Sequence, residues 1–296
     1  MNLVPEQFEK HLSISNNAIT AIDVLAEHTS FSRQQIKKIM QKGAVWLSST
    51  AQTGQGTSTQ RLRRASKPLK AGQVLHLYYN AKILEQADFN AQLIADEGDY
   101  SVWFKPSGMP SQGSKYGDHT AIYRWAETHI QPQRNAFLVH RLDKATSGLI
   151  LIAHSKKAAR LLSKMFSERR IHKYYKALVQ GVPQNLERID TPLENKIAIT
   201  KILSITPCQN NSYSLLDIQL LTGRKHQIRQ HLAKENHPII GDRLYGQANK
   251  QSINLCLSAY KIHFISPFDS QKKHYELNKT FYPSLTPEQA MNSTES

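Results

Sequence analysis

Apolar positions along the chain fall into short helical and strand-like groups, and their pattern changes near residue 99. In the first part, Ile19, Ile22 and Leu25 with Ala26 recur at helical spacing, and FSRQQIKKIMQKG supplies a second helix. Ser32 is placed to cap that helix and Gly43 to stop it, so that Ile36, Ile39 and Met40 face a core. Arg33, Lys37, Lys38 and Lys42 then stay in water. AVWL and QVLHLYY read as strands around SSTAQTGQGTSTQ. That polar stretch has no apolar area to bury and reads as a mobile loop.

From residue 99 on, YSVWF is a strand stopped by the proline- and glycine-bearing KPSGMPSQG. Residues 119–130 read as helix, LILIAH as a short buried strand, and SKKAARLLSKMFSERR as an amphipathic helix capped by Ser155. Its inward positions are Ala158, Leu161, Leu162, Met165 and Phe166. YYKALVQG and SLLDIQLL are strand-like, with Leu216, Ile218 and Leu220 alternating against Asp217 and Gln219. GRKHQIRQHLAKE reads as helix, with His226 and Arg229 on one face, and INLCLSAYKIHF as a closing strand or pair of strands.

Strands and helices do not alternate regularly, which argues against a doubly wound parallel sheet. The fold expected is α+β, with a mixed, largely antiparallel central sheet flanked by helices, behind a small N-terminal α/β domain. The boundaries expected are a leader over 1–13, the small domain over 14–80, a linker over 81–95, the larger domain over 96–280 and a flexible tail over 281–296.

Charge narrows the partner. Among 296 residues, Lys and Arg number 38 against 23 Asp and Glu, a formal charge of +15, so an anionic partner is indicated and nucleic acid is the first candidate. The basic residues cluster at 33–42, 61–70, 156–176 and 224–234. Cys208 and Cys256 stand far apart, which excludes a disulfide framework and the paired cysteines of structural zinc, and suits a reducing cytoplasm. MNLVPEQFEKHLSIS lacks the apolar centre of a signal peptide, and no apolar run reaches the ~18–20 residues that cross a bilayer. No membrane association is expected.

Three stretches carry chemistry. In HRLDKATSG, Asp143 sits beside Arg141, Lys144 and a turn of Thr146, Ser147 and Gly148, surroundings that favour its ionised form. Such a carboxylate serves as base or nucleophile rather than proton donor, or else as a structural cap. The kinase catalytic loop is excluded, because Leu142 and Asp143 stand in the reverse order and no phosphate loop accompanies them. In TGRKHQIRQHL, His226 and His231 are five apart with no glutamate between them, so a metal site is not expected there. An anion-binding face, or a guanidinium aimed at a buried carboxylate, remains. In HKYYKALVQG, adjacent Tyr174 and Tyr175 point to opposite faces of a strand, among lysines suited to a nucleic acid.

Two resemblances follow from these residues. Residues 18–80 resemble the αL RNA-binding module shared with ribosomal protein S-four, which implies RNA contacts by Arg33, Lys37, Lys38, Arg61, Arg63, Arg64 and Lys67. Residues 96–268 resemble the RNA pseudouridine synthases of the RluA branch. Four stretches appear in that family's order: DYSVWFKPSGMPSQG, HRLDKATSGLILIA, HKYYKALVQG and LTGRKHQIRQHLAKENHPIIGDRLYG. Phe104, Gln112 and Ser258 depart from its usual asparagine and two histidines.

The second resemblance implies that Asp143 is the catalytic aspartate and that Arg141 fills the stack vacated by a flipped base. It implies further that Tyr175 lies under the uracil, that Arg229 pairs with the aspartate and that Leu257 lines the pocket. Isomerising uridine to pseudouridine needs no metal and no cofactor. The partner implied is RNA, large-subunit ribosomal RNA first and transfer RNA second, for a monomeric cytoplasmic enzyme. A non-catalytic RNA-binding or ribosome-assembly protein on the same fold is the alternative.

Overall fold

The computed structural model of the chain describes residues 5–50, 57–86, 89–208, 210–246 and 253–284. The centre of the polar loop, 51–56, and the tail from 285 lie outside the described residues. Contacts divide the chain into two units, residues 1–89 with 112–125 and residues 90–111 with 126–296.

The first unit holds β1 (Gln7–Ser13), α1 (Ala21–His28), α2 (Arg33–Gln41), β2 (Val45–Thr50), β3 (Thr57–Arg61), β4 (Val74–Asn80) and the short α3 (Ala81–Leu84). Its strands form an antiparallel sheet in the order β1-β4-β2-β3. The start of α2 is fixed by a reciprocal cap: the Gln35 amide donates to Ser32 Oγ at 3.2 Å, and the Ser32 amide to Gln35 Oε1 at 2.8 Å. Ile36, Ile39 and Met40 of α2 are buried with Leu25, Leu75 and Leu77, as the 3.6-residue spacing expects.

Two expected boundaries and one expected loop are corrected here. Residues 7–13 are no leader: they pair with β4 along their whole length, and alternate Phe8 and Leu12 pack on the core. Residues 81–95 are no plain connector, since α3 buries Leu84 in the first unit's core. Ser48 and Thr59, within the polar stretch, face each other across the β2–β3 pair, so its ends are strand rather than loop.

The chain continues through β5 (Gln92–Asp96), β6 (Tyr100–Lys105), α4 (Ile122–His129), β7 (Phe137–Leu138), β8 (Ser147–Ala153) and α5 (Lys156–Ser167). Then come β9 (His172–Gln180), β10 (Arg188–Ile189), β11 (Thr200–Cys208), β12 (Tyr213–Leu220), α6 (Gln227–Lys234), β13 (Leu257–Ile265) and β14 (Lys272–Glu276). Among the described residues the second unit's sheet runs β10-β11-β12-β9-β13-β8-β6-β5, with β14 on β13 and β7 on β8. It is antiparallel except where β13 meets β8 in parallel, so the fold is the expected mixed α+β. Phe281 and Tyr282, counted with the tail, pack against this unit's core.

β8 is the pivot of that sheet. Leu149 to Ala153 are all buried, which explains why the run is apolar throughout instead of alternating. Its parallel contact with β13 pairs Ser147 with Ser258 and Gly148 with Ala259. Gly148 adopts φ +121°, and a Cβ there would come within 2.3 Å of the Ala259 carbonyl oxygen. The TSG that follows Asp143 is thus the approach that lets β8 lie against β13, and it hangs residues 140–146 at the strand's start.

Candidate active site

A cleft of about 1090 Å³ in the second unit is lined by Arg141, Asp143, Tyr175, Arg229 and Leu257 together. These come from four separate stretches: the loop before β8, β9, α6 and the first residue of β13. Register explains part of the convergence. Tyr175 on β9 lies opposite Ile218 on one side and Ala259 on the other, and Leu257 lies opposite Ala177.

Asp143 is partly exposed at the cleft, its side chain 25% accessible. The loop that carries it is pinned from beneath. Ser111 Oγ donates to the Leu142 carbonyl at 2.7 Å and accepts from the Leu142 amide at 3.0 Å, and the Thr146 amide closes a turn on the Asp143 carbonyl at 3.1 Å. His140 Nε2 accepts the Leu151 amide at 2.9 Å and its ring lies 4.2 Å from that of Phe166, so this histidine is a neutral structural group. Arg141 is exposed at the mouth and makes no ion pair among the described residues, leaving its guanidinium free to move.

Tyr175 is buried, and that burial, with the Asp143 charge nearby, pushes its phenol well above the ordinary value. It presents a ring, not a base. Thr146 lines the same cleft, with a buried Oγ1 that has no hydrogen-bond partner among the described residues.

The expected pairing of Arg229 with Asp143 is corrected. The Arg229 guanidinium instead holds Asp242 in a two-point pair, Nε to Oδ2 at 2.8 Å and Nη2 to Oδ1 at 2.6 Å, with both side chains buried. Asp242 Oδ1 also accepts the amides of Leu244 and Tyr245 at 3.0 and 3.1 Å. Burial alone would raise the Asp242 carboxyl, but Arg229 and the two amides outweigh it and hold it below its ordinary value. α6 starts at Gln227, which puts Arg229 in its first turn, where a planar fork meets the carboxylate of the GDRLYG loop. Arg229 still acts on Asp143 by its charge, which contributes to raising the guanidinium's own pKa.

His226 is the basic side chain that meets Asp143, with Nε2 3.7 Å from Oδ1. It is not a residue within the helix, as its spacing suggested: it stands at the N-cap position of α6 with left-handed φ 52°, ψ 27°, makes no side-chain cap bond, and lines the cleft together with Arg229. Nδ1 meets the Tyr245 hydroxyl at 3.0 Å. Burial lowers its pKa, against the opposing pull of Asp143.

Lys105 is a group that sequence reasoning passed over. It is fully buried, and its Nζ donates to the carbonyls of Met109 at 2.8 Å, Pro106 at 3.1 Å and Lys144 at 3.3 Å. Desolvation pulls its pKa down to about 7, opposed by the charge of Asp143. The signal was the KPSGMP turn itself, whose carbonyls wrap the ammonium.

The basic residues expected to meet RNA in the first unit divide. Arg33 pairs with Asp23 at 2.8 Å on the surface. Lys37, Lys38 and Arg64 are exposed and Lys67 half-buried, none in an ion pair among the described residues. Arg61 and Arg63 are engaged within the fold. Arg63 Nη2 donates to both oxygens of buried Asp118 at 2.7 and 2.6 Å, and Arg61 Nε lies 3.3 Å from it. The Tyr123 hydroxyl also donates to Asp118, and Arg61 lies over the Trp46 ring at 4.3 Å.

The sequence profile of the family described as RNA pseudouridylate synthase matches residues 99–234. The chain is 30% identical over 290 residues to an uncharacterized RNA pseudouridine synthase of Mycoplasma pneumoniae, the MG209 homolog, covering 88% of this chain and 90% of that one. It is 32% identical over 210 residues to the dual-specificity RNA pseudouridine synthase RluA of Haemophilus influenzae, covering 64% of this chain and 93% of that one. Among solved structures, human RNA pseudouridylate synthase domain containing 4 superposes with a TM-score of 0.53 at 23% identity, over 63% of this chain and 87% of that one, a likeness of fold.

Proposed function

The chain belongs to the RNA pseudouridine synthases of the RluA branch, and we propose that Asp143 is the carboxylate through which it isomerises uridine, with large-subunit ribosomal RNA as the substrate. The observation that carries this reading is the meeting of Asp143, Arg141, Tyr175 and Leu257 in one cleft. In the isomerisation the bond from the ribose to uracil N1 breaks, the ring turns, and C5 bonds to the sugar. The proton on C5 leaves and N1 gains one, so atoms balance without oxidant, metal or energy source.

Each group then has a task. The target uridine must leave its stack, at a cost of a few kcal/mol that is least in loops and bulges. Arg141, exposed and in no ion pair among the described residues, enters the vacated space. The Tyr175 ring supports the uracil and Leu257 closes the apolar side, so that the freed base is retained while it turns. Asp143 acts as nucleophile or base and so must be ionised. His226 lies 3.7 Å from it, and the side chains of Arg229 and Lys105 stand within reach of its charge.

The preference for ribosomal RNA rests on the αL-like organisation of the first unit. Its fold of two capped helices on a small sheet supports that resemblance. The dual specificity in the Haemophilus relative's name makes transfer RNA the second substrate to test. A monomer working in the cytoplasm completes the proposal.

The test is tritium release from C5-labelled uridine in unmodified ribosomal and transfer RNA transcripts, with the parent and Asp143→Asn side by side. Release from one RNA class that vanishes in the variant is expected. Release that persists in Asp143→Asn removes Asp143 from the chemistry, and tight binding without release from any transcript favours a non-catalytic RNA-binding protein.

A further inference from the structure

Three histidines stand in a row on adjacent strands of the second unit. His263 of β13 lies directly opposite His172 of β9 on one side and His274 of β14 on the other. Residues that face each other across a sheet raise their side chains on one surface, and the rings do meet. Centroids are 4.7 Å apart for His172 and His263 and 6.5 Å for His263 and His274, with Tyr174 5.4 Å from His263.

These histidines line a second cleft of about 640 Å³, with Arg170, Lys272 and Lys273 as its other basic residues and no acidic one. Carboxylates reach some of these side chains from outside. Glu97 and Asp269 hold Lys273 at 2.7 and 2.9 Å, Glu276 lies 3.1 Å from His274, and Glu168 lies 3.6 Å from Arg170 on the exposed surface. Lys272 is exposed with no ion pair among the described residues. Ile265, 54% exposed, adds an apolar edge.

His172 lines both this cleft and the one that holds Asp143. The two clefts therefore meet at the turn before β9, where Arg169 faces the first and Arg170 the second; the His172 and Tyr174 side chains stand on the face of β9 opposite Tyr175, so a strand leaving the uridine site passes over that turn to reach them. We propose that the second cleft is an RNA subsite holding a nucleotide that flanks the target uridine, its phosphates on Arg170 and Lys272 and its base against the His172–His263 rings. This rests on the reading of the Asp143 cleft as a uridine site. The chemistry is that of single-strand recognition, in which a basic groove tracks the backbone while flat side chains take the bases.

A fluorescein-labelled 12-residue oligouridylate, titrated by anisotropy from low to high salt, tests the subsite without turnover. For single strands the slope of log K against log salt is about −0.7 per phosphate contact, so Arg170→Ala/Lys272→Ala should flatten it by about 1.4. His263→Ala should weaken binding about fivefold or more without altering the slope, since stacking carries no counterion. Lys156→Ala/Lys157→Ala removes the same charge from the exposed start of α5 and is the control. An unchanged slope in the first pair, or an equal change in the control, overturns the subsite whatever Asp143→Asn does to turnover. A flattened slope confined to the first pair, in a protein that releases no tritium, supports an RNA cleft and overturns the catalytic reading instead.

Discussion

Arg229 and Asp242 form a buried two-point pair, and it is this pair, rather than a contact with Asp143, that anchors α6 beside the cleft. Removing one partner leaves an uncompensated charge in the interior, which costs about 3–5 kcal/mol. Asp242→Ala should therefore lower unfolding stability by that order in urea titrations, while Asp143→Asn, at a partly exposed carboxylate, leaves it nearly unchanged. Because the folded Asp242 pKa lies below its unfolded value, its contribution is complete above the ordinary carboxylate range and lost as pH falls through the folded value. Asp242→Asn should accordingly lose less stability than the parent on acidification below about pH 4. Parallel acid profiles would remove the pair from the account.

Lys105 gives the same sign, stability rising with pH, at the opposite end of the pH scale. The folded protein releases its proton near pH 7, whereas an unfolded chain holds it to the ordinary lysine range. Between those values the unfolded state binds more protons, so stability rises with pH, on the order of 1 kcal/mol per unit. Compared with Lys105→Met in urea unfolding at pH 7, 8 and 9, the parent should gain stability steadily. A constant difference across the three would mean that the ammonium is not desolvated.

Gly148 combines φ +121° with a backbone neighbour at 2.3 Å, so Gly148→Ala has neither the conformation nor the space it needs. Strain of this kind costs about 1–3 kcal/mol before the clash with β13 is counted. The variant should melt well below the parent, and its turnover should fall further than its folded fraction, because the displaced segment carries Asp143. Near-parental tritium release from the folded protein would separate the β8–β13 approach from the chemistry.

How far the sequence reaches is visible in these cases. HRLDKATSG and HKYYKALVQG carried Asp143, Arg141 and Tyr175 into one cleft because each stretch has a local pattern and the strands between them alternate regularly. Long-range partners were not legible. Nothing near Arg229 in the chain distinguishes Asp242 from Asp143 as its carboxylate, and His226 takes a left-handed backbone that helical periodicity does not announce. β1 was overlooked for a different reason: its alternation of Phe8 and Leu12 with charged residues is short, and only pairing with β4 gives it meaning.

Tyr175 separates ring from hydroxyl. No hydrogen bond reaches its hydroxyl among the described residues, and its raised pKa keeps it protonated through neutral pH. Tyr175→Phe should keep turnover within about tenfold, whereas Tyr175→Leu, losing a stacking face worth about 1–3 kcal/mol per base, should lose roughly 5- to 150-fold. Single-turnover tritium release at saturating enzyme measures both. Equal losses would give the hydroxyl a role that the geometry does not.

The basic residues of the first unit fall into two classes that stability and binding can tell apart. Arg61 and Arg63 converge on Asp118, which is 1% exposed, and neither guanidinium is free for a phosphate while that carboxylate is in place. Lys37 and Lys38 lie on the wet face of α2, with no ion pair among the described residues. Asp118→Ala strands two cations on a carboxylate-free site and should cost about 3 kcal/mol, and Arg63→Gln a part of that. Lys37→Ala/Lys38→Ala should leave the melting temperature unchanged and weaken RNA binding, with a flatter salt dependence. Melting curves and salt titrations on the same four proteins check the division. If Arg63→Gln lost RNA affinity at parental stability, the guanidinium would have to leave Asp118 on binding, and the first unit's RNA face would extend from α2 to β3.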